Sequence, residues 1–384
     1  MKKNSCKYAL ALAALLAGTG PLRAQVSQGP ITPAPGEPVQ QAPPDAQAKL
    51  KFGVALVDMP VTVFNTSGEM VHDLTPSDFL ITDNGIPQKI SHFDLGGDPV
   101  SVVILIETSS RIASLMPEIH KTGILFTQTV MGPNGEGAVV GFDDAIDKLV
   151  DFTTNADPIE KTISGLQTGS PECKLYDAMA VGVEMLSDRP QPTPQNPGRR
   201  RILLVMSEAK DIGSEAKLGE VLRKAQLANV TIYSVALSTT RAEFHSQDRS
   251  GPSPIAPPGI MTMPGPPGIM QTPTTVANEN SAVDLLGIAI WAVQHIKDEV
   301  KEHPLEVATV GTGGTYIPTY KDRSIESAID EIGGELHSQY IISYAPTDGT
   351  VPGYHEIKVQ LDRKDSKDFK IRARPGYYVA PPES

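Results

Sequence analysis

The chain has 384 residues, 40% of them hydrophobic and only 5% aromatic, and carries a formal net charge of -12 at pH 7. That length accommodates two domains and that apolar content supports a real core. The acidic balance and the scarcity of aromatic rings exclude a nucleic-acid partner, which needs basic patches and stacking surfaces.

The first residues have the form of a targeting signal. Lys2, Lys3 and Lys7 precede an apolar run at 9–17, and Ala24 offers a small residue for cleavage before Gln25, so 1–24 is expected to be removed on export. The run is too short to span a bilayer, and no second run of spanning length follows. The mature chain is therefore expected in the periplasm or outside the cell, without a transmembrane segment. Cys6 leaves with the signal, so Cys173 remains alone, either buried or available to a partner, with no internal disulfide. Residues 25–48, rich in Pro, Gln and Ala, have the composition of an extended linker.

From residue 49 the pattern changes. A β module is expected over 49–97, with a helix start at Thr75-Pro76-Ser77-Asp78 and a hairpin turn at Asp83-Asn84-Gly85. Then Val100 to Glu107 forms a run of branched apolar residues without alternation, as in a strand buried on both faces of a parallel sheet. A helix over 112–131 and strands over 137–142 and 148–153 follow. Helices over 158–166 and 175–186, a second wholly apolar strand at 202–206, a helix over 218–228 and a strand over 231–237 continue the series. Strands alternating with helices predict an α/β fold with a doubly wound, mostly parallel sheet over 98–337.

The alternation is interrupted at 238–280, a segment dense in Pro, Gly and Met, in which Pro257-Pro258-Gly259-Ile260-Met261 recurs as Pro266-Pro267-Gly268-Ile269-Met270. It is expected to be a disordered insertion. A helix over 282–300, a short helix after Pro304, a strand over 316–318 and a helix over 325–336 complete the domain. The last part, 338–379, is β again and is expected to pair with the N-terminal module. The two arginines before Arg201 and Arg201 itself are expected to be a solvated lead-in to the strand at 202–206.

The strand from Val100 ends in Glu107, Thr108, Ser109, Ser110 and Arg111, at the carboxyl end where open α/β sheets place their binding crevice. An acid-x-Ser at this point, a later Leu175-Tyr176-Asp177-Ala178 opening a helix, and an apolar strand ending in Ser207-Glu208 together resemble the von Willebrand factor type A (VWA) fold. More closely, the chain resembles a group of exported bacterial proteins related to that fold. The shared features are a leading β module with Asp78-Phe79 and a glycine hairpin, Gly313-Gly314 before a strand, Gln339-Tyr340, and the terminal run Arg374 to Tyr378.

The resemblance implies binding rather than catalysis, at a metal-ion-dependent adhesion site built from an Asp-x-Ser-x-Ser loop, a Thr and a second Asp. A divalent cation there would accept a carboxylate from a protein partner. In this chain Glu107 stands at the first Asp position, Ser109 matches the first Ser, Arg111 replaces the second Ser, Cys173 takes the Thr position and Glu208 that of the later Asp. Added methylenes misplace oxygens around a cation that tolerates little distortion, a soft sulfur replaces a hard hydroxyl, and a permanent cation repels the metal. The crevice is expected to be a degenerate site holding no metal, with Arg111 paired to Glu107 or Glu208 and accessory contributions from Ser110 and Glu172.

Alternatives stand beside that expectation. Arg111 as a solvated first-turn residue would leave an inert crevice in a structural envelope component. Retention of a weak Mg²⁺ or Mn²⁺ site on Glu107, Ser109 and Glu208 would make the chain a metal-dependent ligand binder. An exported hydrolase has the least support, because the sequence has no G-x-S-x-G elbow and no H-E-x-x-H. Asp143-Asp144 fits turn residues rather than calcium ligands. Catalytic residues and cofactors are expected to be absent, and the leading expectation is a non-enzymatic protein that binds another protein.

Overall fold

A computed structural model describes residues 56–96, 99–190, 198–238, 285–298, 300, 303–319, 324–347 and 351–381. The expectations for the signal peptide, the linker and nearly all of the insertion lie outside these residues.

Strand β1 (Val57–Phe64) opens the described chain, followed by β2 (Phe79–Asp83), β3 (Ile86–Pro87) and β4 (Ile90–Leu95). Asn84 and Gly85 both adopt positive φ (47° and 81°), the backbone twist that a two-residue hairpin between β2 and β3 needs. The helix start at Thr75 is a single 3-10 turn, Pro76–Asp78. Asp78 Oδ2 accepts the Thr75 N–H at 2.8 Å and closes the cap. The turn goes no further because Phe79 and Ile81 alternate inward as strand residues.

The central sheet starts with β5 (Val100–Glu107), buried at every residue. Val103 and Leu105 pack into one apolar layer, with the helices Leu175–Ser187 and Leu218–Leu227. Val100, Val102, Ile104 and Ile106 pack into the other, with the helices Ala156–Ser164 and Ile325–Leu336. Helices on both faces are what makes a strand without alternation stable. Next come β6 (Glu136–Phe142), β7 (Ile146–Thr153), β8 (Arg200–Ser207), β9 (Val230–Ala236) and β10 (Tyr316–Pro318). The six strands run in the order β10-β9-β8-β5-β6-β7, all parallel except β7, which pairs antiparallel with β6. Progress along the chain reverses direction at β5, which lies between β6 and β8, so the carboxyl ends of β5 and β8 flank the topological switch point.

The segment after β5 departs from the single helix expected over 112–131. It consists of short turns at Ser110–Ile112, Met116–Ile119 and Gly123–Leu125 and a π-helical run, Phe126–Met131. Hydroxyl groups explain the breaks: Thr122, Thr127 and Thr129 donate back to the carbonyls of Ile119, Ile124 and Leu125 at 2.7, 3.0 and 2.7 Å, competing with the regular ladder. Of the helix expected over 282–300, the described residues are helical at Leu285–Gln294, and the helix after Pro304 spans Pro304–Thr312.

The last strands, β11 (Tyr340–Tyr344), β12 (Gly353–Leu361), β13 (Lys370–Ala373) and β14 (Gly376–Val379), join the N-terminal ones in two antiparallel sheets. Their orders are β13-β1-β11-β4 and β14-β12-β2-β3, around a core that includes Met59, Val61, Ile81, Tyr340, Ile342 and Tyr344. Within this core Asp83 Oδ2 accepts the hydroxyls of Tyr344 and Tyr377 at 3.0 and 2.7 Å, and Asp83 Oδ1 lies 3.0 Å from His355 Nδ1. Among the described residues no helix is long and apolar enough to cross a membrane.

The expectation that Arg199 to Arg201 would be solvated fails at Arg201, while Arg199 and Arg200 are half-buried. Arg201 is buried and donates to the carbonyls of Ala228 (2.7 Å) and Arg189, and Arg200 donates to the Leu336 carbonyl at 2.7 Å. These guanidiniums cap the carbonyl ends of helices and turns that converge on the start of β8, which holds them in the protein.

Candidate functional site

The apolar stretch of β5 ends in Glu107, whose side chain is fully buried. A carboxylate taken out of water needs its lone pairs filled, and the neighbouring chain fills them. Glu107 Oε1 accepts the Ser109 hydroxyl, while Oε2 accepts the Ser207 hydroxyl and the Glu208 backbone N–H, each at 2.8 Å. Ser109 and Ser207 are themselves fully buried. The ends of β5 and β8 are thereby tied to each other through one carboxylate.

Arg111 leaves the turn that follows β5 and reaches the other strand end. Its Nε donates to Glu208 Oε2 at 2.8 Å, and Nη2 lies 2.8 Å from the same oxygen and 3.8 Å from Glu107 Oε1. The Arg111 side chain is 20% exposed and that of Glu208 6%, so the pair is largely withdrawn from solvent and weakly screened.

Loop contacts hold the crevice wall in register with these groups. The Gly169 and Ser110 N–H groups donate to the carbonyls of Thr108 and Ser170, at 2.8 and 3.0 Å. Asp143, at the end of β6, accepts the N–H groups of Ala145 and Ser170, both at 2.9 Å. Its pKa lies below the ordinary aspartate value: burial pushes it up, but those backbone N–H groups, with Asp144, outweigh burial. A Cβ at Gly169 would lie 2.0 Å from Asp143 Oδ2, so the loop can approach this carboxylate only with glycine there. Because the folded pKa is depressed, the stability that Asp143 contributes is present above the unfolded value and lost as pH falls through the folded one. Asp143→Asn is expected to flatten the acid limb of a plot of urea midpoint against pH. An unchanged acid limb would remove Asp143 from this account.

Cys173 lies beneath the crevice rather than on its rim. It is fully buried, its carbonyl accepts the Ile212 N–H at 2.7 Å, and burial followed by the charge of Glu107 pushes its thiol pKa well up. A thiol so placed stays protonated and is withheld from a partner. Ser110 and Glu172 are exposed, and the Glu172 N–H donates to Ser170 Oγ at 3.3 Å. Of the residues singled out in the sequence, Glu107, Ser109, Arg111 and Glu208 thus form one bonded cluster, Cys173 lies under it, and Ser110 and Glu172 stand at its edge. The sequence reading missed Ser207 as a partner of Glu107. It also missed the Asp211 carboxylate, which accepts the Tyr176 N–H at 3.1 Å and the Ser214 hydroxyl at 2.6 Å and so fixes the start of the helix Leu175–Ser187.

The VWA resemblance implies a divalent cation, and the donor set fails to fit one. Mg²⁺ needs an octahedron of hard oxygens with free lone pairs. Both oxygens of Glu107 already accept hydrogen bonds, Glu208 Oε2 faces a guanidinium, and the Cys173 sulfur is soft and protonated. What the cluster can do chemically is set one internal cation, Arg111, against two buried carboxylates, Glu107 and Glu208, with hydrogen bonds from Ser109, Ser207 and the Glu208 N–H holding the remaining charge.

No family model matches the chain and no curated protein matches it. Among solved structures, the VWA domain of SpRpn10 is similar at 15% identity and a TM-score of 0.31, over 38% of this chain and 79% of that one. An aerotolerance-related membrane protein from Bacteroides fragilis is similar at 14% identity and a TM-score of 0.36, over 62% of this chain and 98% of that one. The vWF domain of the type V pili tip protein Mfa5 from Porphyromonas gingivalis is similar at 16% identity and a TM-score of 0.24, over 30% of this chain and 39% of that one. By its own strand order and its helices on both faces of one sheet, the part of the chain from β5 to the helix Ile325–Leu336 has the doubly wound, mostly parallel α/β fold expected of a VWA-like chain.

Proposed function

We propose that this chain is an exported, non-enzymatic protein–protein interaction protein whose VWA-like crevice is a degenerate adhesion site working without metal. The observation that carries this reading is the Arg111 guanidinium bonded to Glu208 beside a Glu107 carboxylate already filled by Ser109, Ser207 and the Glu208 N–H. Export rests on the N-terminal charge and apolar pattern, with periplasmic or extracellular placement after cleavage near Ala24-Gln25. With the central cation supplied from within, recognition falls to the exposed rim around Ser110 and Glu172.

Photo-crosslinking in the producing cell tests this. A photoreactive residue at position 110 or 172 is expected to give a discrete adduct that survives EDTA, whereas one at exposed Leu227, away from the crevice, gives none. An adduct lost on chelation would restore a metal-dependent binder. Equal labelling from all three positions would favour a structural protein with a vestigial crevice.

A further inference from the structure

Where the strands from the two ends of the chain pack together, the ring of His355 faces hydrogen-bond acceptors on both sides. Nδ1 lies 3.0 Å from Asp83 Oδ1, and Nε2 lies 2.8 Å from the Val351 carbonyl oxygen. His355 is 2% exposed and Asp83 4%, so water has little access to either side chain.

A neutral imidazole carries one N–H and one lone pair. Whichever nitrogen kept the lone pair would set it against an oxygen lone pair, that of the Asp83 carboxylate on one side or that of the Val351 carbonyl on the other. Tyr377 does not relieve this, because its hydroxyl lies 3.3 Å from Nδ1 but donates at 2.7 Å to Asp83 Oδ2, which Tyr344 also reaches at 3.0 Å. Burial, followed by Asp83, pushes both phenol pKa values well up, so both hydroxyls remain donors. Two donors on Oδ2 favour the ionised carboxylate. The proton that satisfies both nitrogens therefore belongs on the ring rather than on Asp83.

The other charged groups around the ring are engaged elsewhere. Arg374, whose charge acts on both phenols, donates to the carbonyls of Gly376 and Asp58 and to Asn229 Oδ1. Its charge works against a charged ring, but the ring bonds directly to Asp83. Glu356, the next residue of β12, is exposed and pairs with Lys358 at 3.2 Å.

We infer that His355 is a buried imidazolium at neutral pH, and that its second proton latches the Val351 carbonyl to the start of β12. When that proton leaves, one acceptor contact must break. The Asp83 carboxylate is sealed in the core, whereas Val351 is 53% exposed and can turn its carbonyl to water. The latch opens at Val351, beside the end of β12 that pairs Gly353 with Val379 and His355 with Tyr377 on β14.

Nitrogen-15 NMR of the full mature chain tests this, the His355 ring being assigned through the Tyr377 ring stacked on it at a centroid separation of 4.8 Å. Two ring N–H protons are expected at about pH 7.5, where a free imidazole has lost one of them. As the pH is raised further, the loss of one is expected to coincide with a shift of the Val351 carbonyl carbon. A single ring N–H at about pH 7.5, or a Val351 carbonyl that does not move with the ring, overturns the inference. Stability reads the same proton. The unfolded chain releases it above about pH 6.5 while the folded chain keeps it, so the unfolding constant is expected to rise by up to about tenfold per pH unit until the folded ring releases it too. His355→Gln is expected to lose this contribution, and an equal rise in parent and variant overturns the inference. Should His355→Gln fail to fold, the ring protons of the parent decide.

Discussion

Replacing Glu107 with alanine is expected to destabilise the protein by about 3–5 kcal/mol, the usual cost of breaking a buried ionic cluster by removing one member. The substitution leaves three buried donors without their acceptor: the hydroxyls of Ser109 and Ser207 and the N–H of Glu208. It also removes one of the two carboxylates beside Arg111. Glu107→Gln keeps the shape but turns an amide NH₂ toward one of those donors, so an intermediate loss of about 1–3 kcal/mol is expected. Urea unfolding of the two variants checks the order. A loss under 1 kcal/mol in Glu107→Ala would mean that the carboxylate is hydrated rather than sealed. Because this residue supports the fold, its loss cannot separate a binding role from a structural one, and exposed Ser110 and Glu172 are the better probes of binding.

Arg374→Met is expected to cost about 3 kcal/mol, for a different reason. Arg374 is buried and donates to the Gly376 carbonyl at 3.1 Å, to the Asp58 carbonyl at 3.2 Å and to Asn229 Oδ1 at 2.8 Å. One side chain thus connects β14, β1 and the turn before β9. Methionine keeps the apolar stem and removes the donor from three acceptors, one buried and two part-buried, a buried one being worth roughly 1–3 kcal/mol when unsatisfied, in part recovered by removing a buried charge. Lysine is not expected to rescue it, since one ammonium cannot span acceptors arranged around a planar fork. Stability equal to that of the parent would show that the desolvation of this guanidinium had offset all of its hydrogen bonds.

The parts of the fold that were legible in the sequence are those that burial writes into residue type. The strands β5 and β8 carry unbroken branched apolar runs because both faces are covered, and a parallel order followed from their alternation with helices. The Asn84-Gly85 hairpin followed from the one turn type those residues favour. That Glu107, Ser109 and Arg111 lie at a strand end was legible for the same reason, since they follow where the apolar run of β5 stops.

Less legible was whatever depends on residues far apart in the chain. The Arg111 pairing with Glu208 joins positions 97 apart, and residue types alone left Glu107, Glu208 and solvent open as its environment. Asp83 and His355 meet across 272 positions, and the hairpin signal gave Asp83 only a turn role. Arg201 was misjudged because long charged side chains are ordinarily exposed, whereas here the carbonyls of Ala228 and Arg189 accept from it. The break-up of the helix expected over 112–131 depends on threonine hydroxyls whose competition with the ladder is invisible to apolar spacing.

The central claim is that the Arg111 guanidinium stands in the crevice where a divalent cation would otherwise sit. The most direct test is a thermal melt of the mature protein with and without millimolar Mg²⁺ or Mn²⁺, run beside Arg111→Ser. A ligand that binds only the native state at a thousandfold excess over its dissociation constant adds about 4 kcal/mol. The account predicts no shift in the parent protein, a lower melting temperature in Arg111→Ser where Glu208 loses its partner, and recovery of part of that loss when the metal is added. A clear metal-dependent rise in the parent protein would contradict it.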